Sequence, residues 1–189
     1  MSRLVLVKHS APTVLPSVPA PDWRLSAVGV TRCTALAERL RPFSARAIAS
    51  SVEPKAFETA TLIGHELRLK VERIGGLHEH DRRDTKLLGE TEFQRAVASL
   101  FARPHALVLG RETAAAALGR FDAAIAGVLA AAPSGDDVIV VSHGTVISLF
   151  VAAHAGADGF ALWKRLGLPS FVVLDRADLR VERVEDAVP

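Results

Sequence analysis

The sequence predicts an α/β fold, a three-layer sandwich in which a mostly parallel, mixed sheet is flanked by helices. Short apolar runs rich in β-branched residues alternate along the chain with longer segments whose apolar residues recur at helical spacing. The 189 residues are 49% hydrophobic, which is enough to bury one substantial core. We therefore expect a single domain over residues 1–189, with residues 75–110 as a cap or rim insertion.

Six segments have the composition of strands. The clearest is an uninterrupted apolar run near residue 140, and the first segment of the chain is β-branched in the same way. The predicted strands are 3–7, 45–50, 70–73, 137–141, 170–174 and 179–184. Residues 11–25 contain four prolines, so we expect a loop between the first strand and the first helix.

Five segments carry an apolar stripe at helical spacing. Ser26 suits the N-cap of the first helix, and Glu53 with Pro54 marks the start of the second. The predicted helices are 27–40, 54–67, 91–101, 112–132 and 144–155. The lone cysteine, Cys33, falls on the apolar face of the first helix, so we interpret it as a core residue; an intrachain disulfide is excluded.

The charge balance argues against several classes of partner. With 23 basic and 21 acidic residues the net charge is +2, and the chain has no tyrosine with which to stack on bases. Only a sequence pI of about 9.0 favours nucleic acid. The apolar segment 138–157 is interrupted by Ser142 and His143, which favours a strand, turn and helix over a membrane span. We expect a cytoplasmic protein without nucleic-acid or membrane partners.

Polar residues follow three of the predicted strands. Lys8 and His9 come after the first strand, and His143 follows the fourth and opens a helix. After the second strand, Ser51 is followed by Lys55 in the first turn of a helix. A lysine is unfavourable there because the helix dipole is positive at that end, and a bound anion would remove the conflict. Since parallel strands place their carboxyl ends at one edge, the pattern predicts a phosphate site.

Each of these residues also has a plain structural interpretation. His9 alone fits a half-buried histidine with a satisfied ring, and Lys8 fits a side chain that extends to solvent. Lys55 fits an ion pair with Glu58, three residues further along the helix. Their coincidence at strand ends favours the phosphate site.

Four motifs resemble those of the histidine phosphatase superfamily, the phosphoglycerate mutase-like proteins. The stretch "LVLVKHSAP" is similar to a strand followed by Arg-His-Gly, and "SSVEPKAFETA" to Ser-Ser-Pro, a few residues, Arg and then Thr-Ala. The stretch "VIVVSHGTVI" is similar to a strand ending in His-Gly, and "GRETAAAALGR" to the Gly-Glu-Ser segment with its following arginine. The motifs stand in family order and cover residues 4 to about 175.

The resemblance implies a role for each matching residue. His9 would be the nucleophile that forms a phosphohistidine, and His143 would stabilise the phosphoryl oxygens. Glu79 would protonate the leaving oxygen and then activate water. The phosphate-binding residues would be Lys8, Ser10, Lys55 and Gly144. Apart from the resemblance, we expect His80, Arg82 and Arg83 to add positive charge at a substrate rim, while Trp23 fits equally a roof over the pocket or a packing residue that closes the proline-rich loop. No cofactor and no metal are implied.

Three positions depart from the family pattern. Lysines replace both arginines of the phosphate pocket, and Ser10 replaces a glycine. Lysine keeps the charge but lacks the planar two-pronged donor of arginine. Because Lys8, Ser10 and Lys55 all keep a hydrogen-bond donor, we interpret the pattern as a retuned phosphate site.

Other interpretations remain open at this stage. His78 and His80 with Asp81 could bind a divalent metal, although no third ligand of convincing spacing follows. The segment 159–169 fits either the core or an interface, so the sequence leaves the oligomeric state open. We expect a phosphatase acting on a small phosphorylated substrate. The alternatives are a phosphate-binding module with little or no turnover and a phosphoglycerate mutase-type phosphotransferase.

Overall fold

A computed structural model describes residues 2–189 and contains one six-stranded sheet. The strands are β1 (Arg3–Lys8), β2 (Ala45–Ser50), β3 (Lys70–Arg73), β4 (Asp137–Ser142), β5 (Ser170–Asp175) and β6 (Val181–Glu185). Their order across the sheet is β3-β2-β4-β1-β5-β6. The four strands from β3 to β1 run parallel, and β5 is antiparallel to both of its neighbours. The sheet is thus mixed and mostly parallel, as predicted.

Helices cover both faces of the sheet. They are α1 (Ala27–Leu40), α2 (Pro54–Leu67), α3 (Glu90–Ala102), α4 (Ala114–Ala131), α5 (Gly144–Ala155) and α6 (Gly159–Arg165). Side chains alternate along β1, so Val5 and Val7 belong to the core under α1 and α2. Leu4 and Leu6 belong to the core under α4 and α5. This arrangement confirms the predicted three-layer sandwich.

Local interactions explain the element boundaries. The Ser26 hydroxyl accepts a hydrogen bond from the Gly29 amide, which confirms it as the N-cap of α1. Helix α4 begins later than predicted because Thr113 is its N-cap. Strand β6 begins at Val181 because Leu179 has a φ of 57°, the left-handed conformation of a turn.

Two elements were not predicted. Residues Ala20–Asp22 form a 3₁₀ turn inside the proline-rich loop. Helix α6 lies in the segment that fitted either a core or an interface, and its Leu162 is buried in the core with α4 and α5. Seven residues are too few to show a clear helical stripe in the sequence.

The segment 75–110 contributes to the core as well as to the surface. Leu77, Leu100 and Leu109 are buried in the same cluster as Phe121 of α4. Helix α3 carries Leu100, so this segment packs directly on the body of the domain.

Helix α4 is, among residues 2–189, the one helix long and apolar enough to cross a membrane by length and composition alone. One face of it packs on the domain, and 22% of its residues are buried. Phe121 and Ile125 are buried in the core, and Arg120 in the middle of the helix binds carbonyl groups of a loop.

Candidate active site

The carboxyl ends of β2, β4 and β1 lie side by side, because these strands are neighbours in the sheet. The backbone amide of His9 donates to the Ser142 carbonyl at 3.0 Å, and that of Ser51 donates to the Val141 carbonyl at 2.9 Å. The backbone hydrogen bonds of the sheet therefore continue one residue past the strands, and they fix the positions of His9 and Ser51. His9 and His143 are brought together with ring centroids 5.1 Å apart.

His9 is held in one tautomer by its own backbone. Its Nδ1 lies 2.7 Å from the Ser10 carbonyl oxygen, which can only accept, so Nδ1 carries the proton. Nε2 then keeps its lone pair, and it has no hydrogen-bond partner among residues 2–189. Burial, together with the nearby His143 and Lys55, lowers the pKa of His9 well below its ordinary value. The ring is therefore neutral and nucleophilic at neutral pH.

His143 lies at the start of α5 and is fully buried. Its Nε2 is 2.8 Å from the Ser51 hydroxyl. Its Nδ1 has no hydrogen-bond partner among the described residues and lies 3.7 Å from the Glu53 carboxylate. Burial and the Lys55 cation lower the pKa of His143 well below its ordinary value. An unpartnered buried nitrogen is costly. His143 lies beneath the cavity and is not among its lining residues.

Lys8 lies along the first turn of α5. A Cβ atom at Gly144 would lie 3.1 Å from the Lys8 Cε, so the glycine makes room for this side chain. The Lys8 ammonium donates to the Leu166 carbonyl at 2.6 Å and keeps two further N–H groups. Burial lowers the pKa of Lys8 to about 8, although Glu79 opposes the change.

Lys55 does not pair with Glu58, contrary to the plain structural interpretation of the sequence. Its ammonium lies 2.5 Å from the Glu53 carboxylate and donates to the Ala20 carbonyl at 2.9 Å. Glu58 instead pairs with Arg24, which lies near the end of the proline-rich loop. The reason is geometric, because Glu53 precedes α2 and its side chain turns back over the first helical turn.

Glu53 is the site residue that sequence reasoning missed. It is only 7% exposed, and its second carboxylate oxygen accepts from the backbone amide of Glu79 at 2.8 Å. Thus one buried carboxylate contacts Lys55 and Glu79 and faces His143. The sequence does contain a signal for Glu53. In "SSVEPK" this glutamate lies two residues after the paired serines and two residues before Lys55.

Glu79 lies over the amino end of α5. Its carboxylate accepts weakly from the backbone amides of Thr145 at 3.2 Å and Val146 at 3.3 Å. Arg82 completes the arrangement with an ion pair of 3.0 Å. Arg82, which the sequence predicted at the rim of the pocket, therefore forms an ion pair with Glu79.

These contacts determine the charge of Glu79. Burial by itself would raise the pKa of the carboxyl group, but Arg82, His143 and the amides of His80 and Thr145 outweigh it and lower the pKa below its ordinary value. Glu79 is therefore a carboxylate at neutral pH in the unliganded protein.

Arg120 fixes the loop that carries Glu79. Its guanidinium donates to the carbonyl groups of Gly76, His78 and Glu79 at 2.8, 2.7 and 2.7 Å. Glu112 pairs with the same guanidinium at 2.6 Å. The motif "GRETAAAALGR" contains both residues, and the structure shows that they support the acidic loop from behind.

Ser10 does not present its hydroxyl to the pocket. The residue is fully buried, and its hydroxyl donates to the Gly29 carbonyl at 2.7 Å. Its backbone amide donates to the Thr59 hydroxyl at 3.0 Å. Ser10 thus ties the loop after β1 to α1 and α2, and the expectation that its hydroxyl donates to phosphate is not met in this arrangement.

A cavity of about 640 Å³ opens above these side chains. Its base, which we call the pocket floor, is formed by Lys8, His9, Glu53, Lys55, Glu79 and Gly144. Trp23, Arg82 and Arg83 are also among the residues that line the cavity. His80 also borders the cavity but is 2% exposed, and its Nε2 is 2.8 Å from the Glu112 carbonyl oxygen.

The side chains of His78, His80 and Asp81 do not converge on a metal site. Among residues 2–189, no group of three or more histidine, cysteine, aspartate or glutamate side chains is placed to hold a metal ion. The Asp81 carboxylate instead accepts from the backbone amide of Arg83 at 3.1 Å.

Comparison with known proteins identifies the class of this protein. The sequence profile of the histidine phosphatase superfamily (branch 1) matches residues 6–184. The chain therefore belongs to the histidine phosphatase superfamily. A search of curated protein sequences finds no match.

Several solved structures share the fold over nearly the whole chain. A protein described as mycobacterial hydrolase 1 is 22% identical with a TM-score of 0.80, covering 100% of this chain and 99% of its own. Mycobacterial glucosyl-3-phosphoglycerate phosphatase is 22% identical with a TM-score of 0.77, covering 97% and 96%. A phosphoserine phosphatase mutant from Entamoeba histolytica, in complex with phosphoserine, is 16% identical with a TM-score of 0.76, covering 98% and 97%.

Proposed function

We propose that this protein hydrolyses a phosphomonoester through a phosphohistidine formed on His9. One observation carries the proposal: His9 is a neutral imidazole whose Nδ1 proton is bound to the Ser10 carbonyl. The free Nε2 belongs to a residue of the pocket floor, beside two lysines. Family membership and the phosphatases among the structural neighbours support the same activity.

The first half of the reaction transfers the phosphoryl group to the protein. His9 Nε2 attacks phosphorus and forms an N–P bond while the P–O bond to the alcohol breaks. Lys8 and Lys55 neutralise the phosphoryl oxygens. His143, whose buried Nδ1 has no hydrogen-bond partner among residues 2–189, turns toward the phosphate to donate to it. The alcohol oxygen takes a proton from Glu79 as it leaves.

The proton on Glu79 has to arrive with the substrate. In the unliganded site Glu79 is ionised and paired with Arg82. A phosphate dianion beside it is a like charge, which raises the pKa of a carboxyl group and favours proton uptake. In the second half, ionised Glu79 accepts a proton from water, the hydroxide attacks phosphorus, and the N–P bond breaks to release phosphate and restore His9.

The test is hydrolysis of an aryl phosphate by the wild-type chain and by His9→Ala. We expect the variant to lose at least about 10³-fold in kcat, because the nucleophile is gone. Binding of inorganic phosphate by the variant, measured by calorimetry, shows that the site is intact. Unchanged hydrolysis by His9→Ala would contradict the proposal.

A second candidate function is a phosphate-binding module with little turnover. The lysines at positions 8 and 55 favour it, because lysine keeps the charge that attracts phosphate but lacks the planar two-pronged donor of arginine that would position the group for transfer. This candidate predicts phosphate-dependent thermal stabilisation without any phosphohistidine. A phosphotransferase of the mutase type is distinguished by its product, since it returns an isomerised phosphomonoester and no inorganic phosphate.

A further inference from the structure

The walls of the cavity differ in chemistry from its floor. Both tryptophans of the chain line the cavity, Trp23 from the proline-rich loop and Trp163 from α6. We call the following set the apolar wall: Val14, Leu15, Trp23, Leu87, Phe93 and Trp163. A phosphate group alone would fill only a small part of about 640 Å³, so the wall faces whatever the phosphate is attached to.

The indole groups present carbon surface to the cavity. Trp23 Nε1 donates to the carbonyl groups of Val18 at 2.9 Å and Leu15 at 3.2 Å, so its polar atom is satisfied within its own loop. The Trp163 ring lies 5.7 Å from the Phe93 ring in an edge-on arrangement. Aromatic side chains arranged in this way supply large, rigid contact areas.

Apolar side chains at the mouth remain exposed in the unliganded protein. Val14, Leu15 and Leu87 are 52%, 46% and 57% exposed, respectively. They come from two separate segments, the proline-rich loop and the loop before α3. A contiguous apolar patch at the mouth of a charged pocket is a feature of ligand-binding sites.

The six side chains of the apolar wall include no hydroxyl, amide or charged group, whereas Arg83, Lys86 and Glu90 border the cavity outside the wall. A sugar hydroxyl placed against the wall itself would lose water without gaining a partner there, which costs affinity.

We propose that the alcohol part of the substrate is an aryl or extended apolar group, bound against the apolar wall with its phosphate on the pocket floor. The inference rests on the proposed function, because it assigns the phosphate of the substrate to the floor. It adds a substrate class: small phosphomonoesters of apolar alcohols, in preference to polyhydroxylated ones.

Binding can be tested without turnover in the His9→Ala variant. The probes are 3-phenylpropyl phosphate and glycerol 3-phosphate, both esters of primary alcohols, and the measurement is the Kd by calorimetry. We expect the phenylpropyl ester to bind about 10- to 100-fold more tightly, since burying an aromatic ring on this wall removes its surface from water. Equal affinity, or tighter binding of glycerol 3-phosphate, would overturn the inference.

Substitutions in the apolar wall test whether this surface causes the preference for the phenylpropyl ester. Leu15→Ser and Leu87→Ser change exposed side chains and should fold, and each should weaken phenylpropyl phosphate about threefold or more without changing glycerol 3-phosphate. Leu107→Ser is the matched control, because Leu107 is 64% exposed and lies outside the cavity lining. An equal effect of the control would overturn the assignment to the wall.

The aromatic anchor is tested with a rescue. Trp23→Ala should weaken the phenylpropyl ester about tenfold, and Trp23→Phe should restore most of the affinity although it lacks the indole donor. If Trp23→Phe does not restore the affinity, the hydrogen bonds of the indole to its loop determine ester binding and the apolar contact does not. If the wild-type chain and His9→Ala bind neither ester, the proposed function falls; if both esters bind alike, only the substrate class falls.

Discussion

Glu53 and Lys55 form a buried ion pair in the pocket floor, with 2.5 Å between the carboxylate and the ammonium. Each side chain is more than nine-tenths buried, at 8% and 7% side-chain exposure. The Glu53 carboxylate also accepts from the Glu79 amide and faces His143. An anion of the chain itself thus contacts a donor that the phosphate of a substrate would use, which makes Glu53 a competitor for the site.

Glu53→Gln should strengthen phosphate binding. The substitution removes the competing charge but keeps the size of the side chain, so Lys55 is left to pair with the ligand. We expect the Kd of inorganic phosphate, measured by calorimetry at neutral pH, to fall about tenfold. Without phosphate the variant should melt at a lower temperature, since the buried Lys55 ammonium then has no charged partner. Glu58→Gln, in the same helix α2, is the control and should leave phosphate binding unchanged. Weaker phosphate binding by Glu53→Gln would contradict the competition, because Glu53 would then assist the binding of phosphate.

Lys8 should impose an alkaline limit on substrate binding. Its pKa is lowered to about 8, so the side chain is a cation below that pH and neutral above it. The attraction for phosphate is therefore complete at lower pH and is lost as the pH rises through about 8. We expect the KM for a phosphomonoester to increase above that pH, approaching about tenfold per pH unit. In Lys8→Arg the rise should disappear, because arginine stays charged; a rise that persists in this variant would assign it to another group.

Arg120→Ala should lower kcat more than it raises KM. The guanidinium holds the carbonyl groups of Gly76, His78 and Glu79, so its loss frees the loop that positions the Glu79 carboxylate. We expect a loss of about 10- to 100-fold in kcat with less than about threefold change in KM. A purely structural role would lower the amount of folded protein and leave the kcat of the folded fraction unchanged, which circular dichroism with active-site titration distinguishes.

Gly29→Ala should destabilise the domain. A Cβ atom at this position would lie 2.1 Å from the Ala11 carbonyl oxygen, so α1 approaches the loop after His9 only because residue 29 lacks a side chain. We expect the free energy of unfolding in urea to fall by about 1–3 kcal/mol. Gly119→Ala on α4 is the matched control, since nothing lies within 4 Å of its added Cβ and alanine favours a helix. Equal stability of the two variants would contradict the close approach.

The sequence predicted the sheet and the convergence of three strand ends because both depend on local patterns. β-Branched runs identified β1 and β4, and His9 and His143 follow these two strands directly. The partners of charged side chains depend on tertiary geometry instead. Nothing local to Lys55 distinguishes Glu53 from Glu58 as its partner, and the attachment of the Ser10 hydroxyl to Gly29 requires the docking of α1. The apolar wall is assembled from separate loops and α6, so no single segment of the sequence reveals it.

The central claim is that His9 carries the phosphoryl group during turnover. The direct measurement is peptide mapping by mass spectrometry after a rapid quench at alkaline pH, with substrate in excess, because phosphohistidine is hydrolysed in acid. We expect one phosphoryl group on His9 in the wild-type chain and none in His9→Ala. Hydrolysis by the wild-type chain with no phosphoryl group on His9, or with the group on another residue, would contradict it.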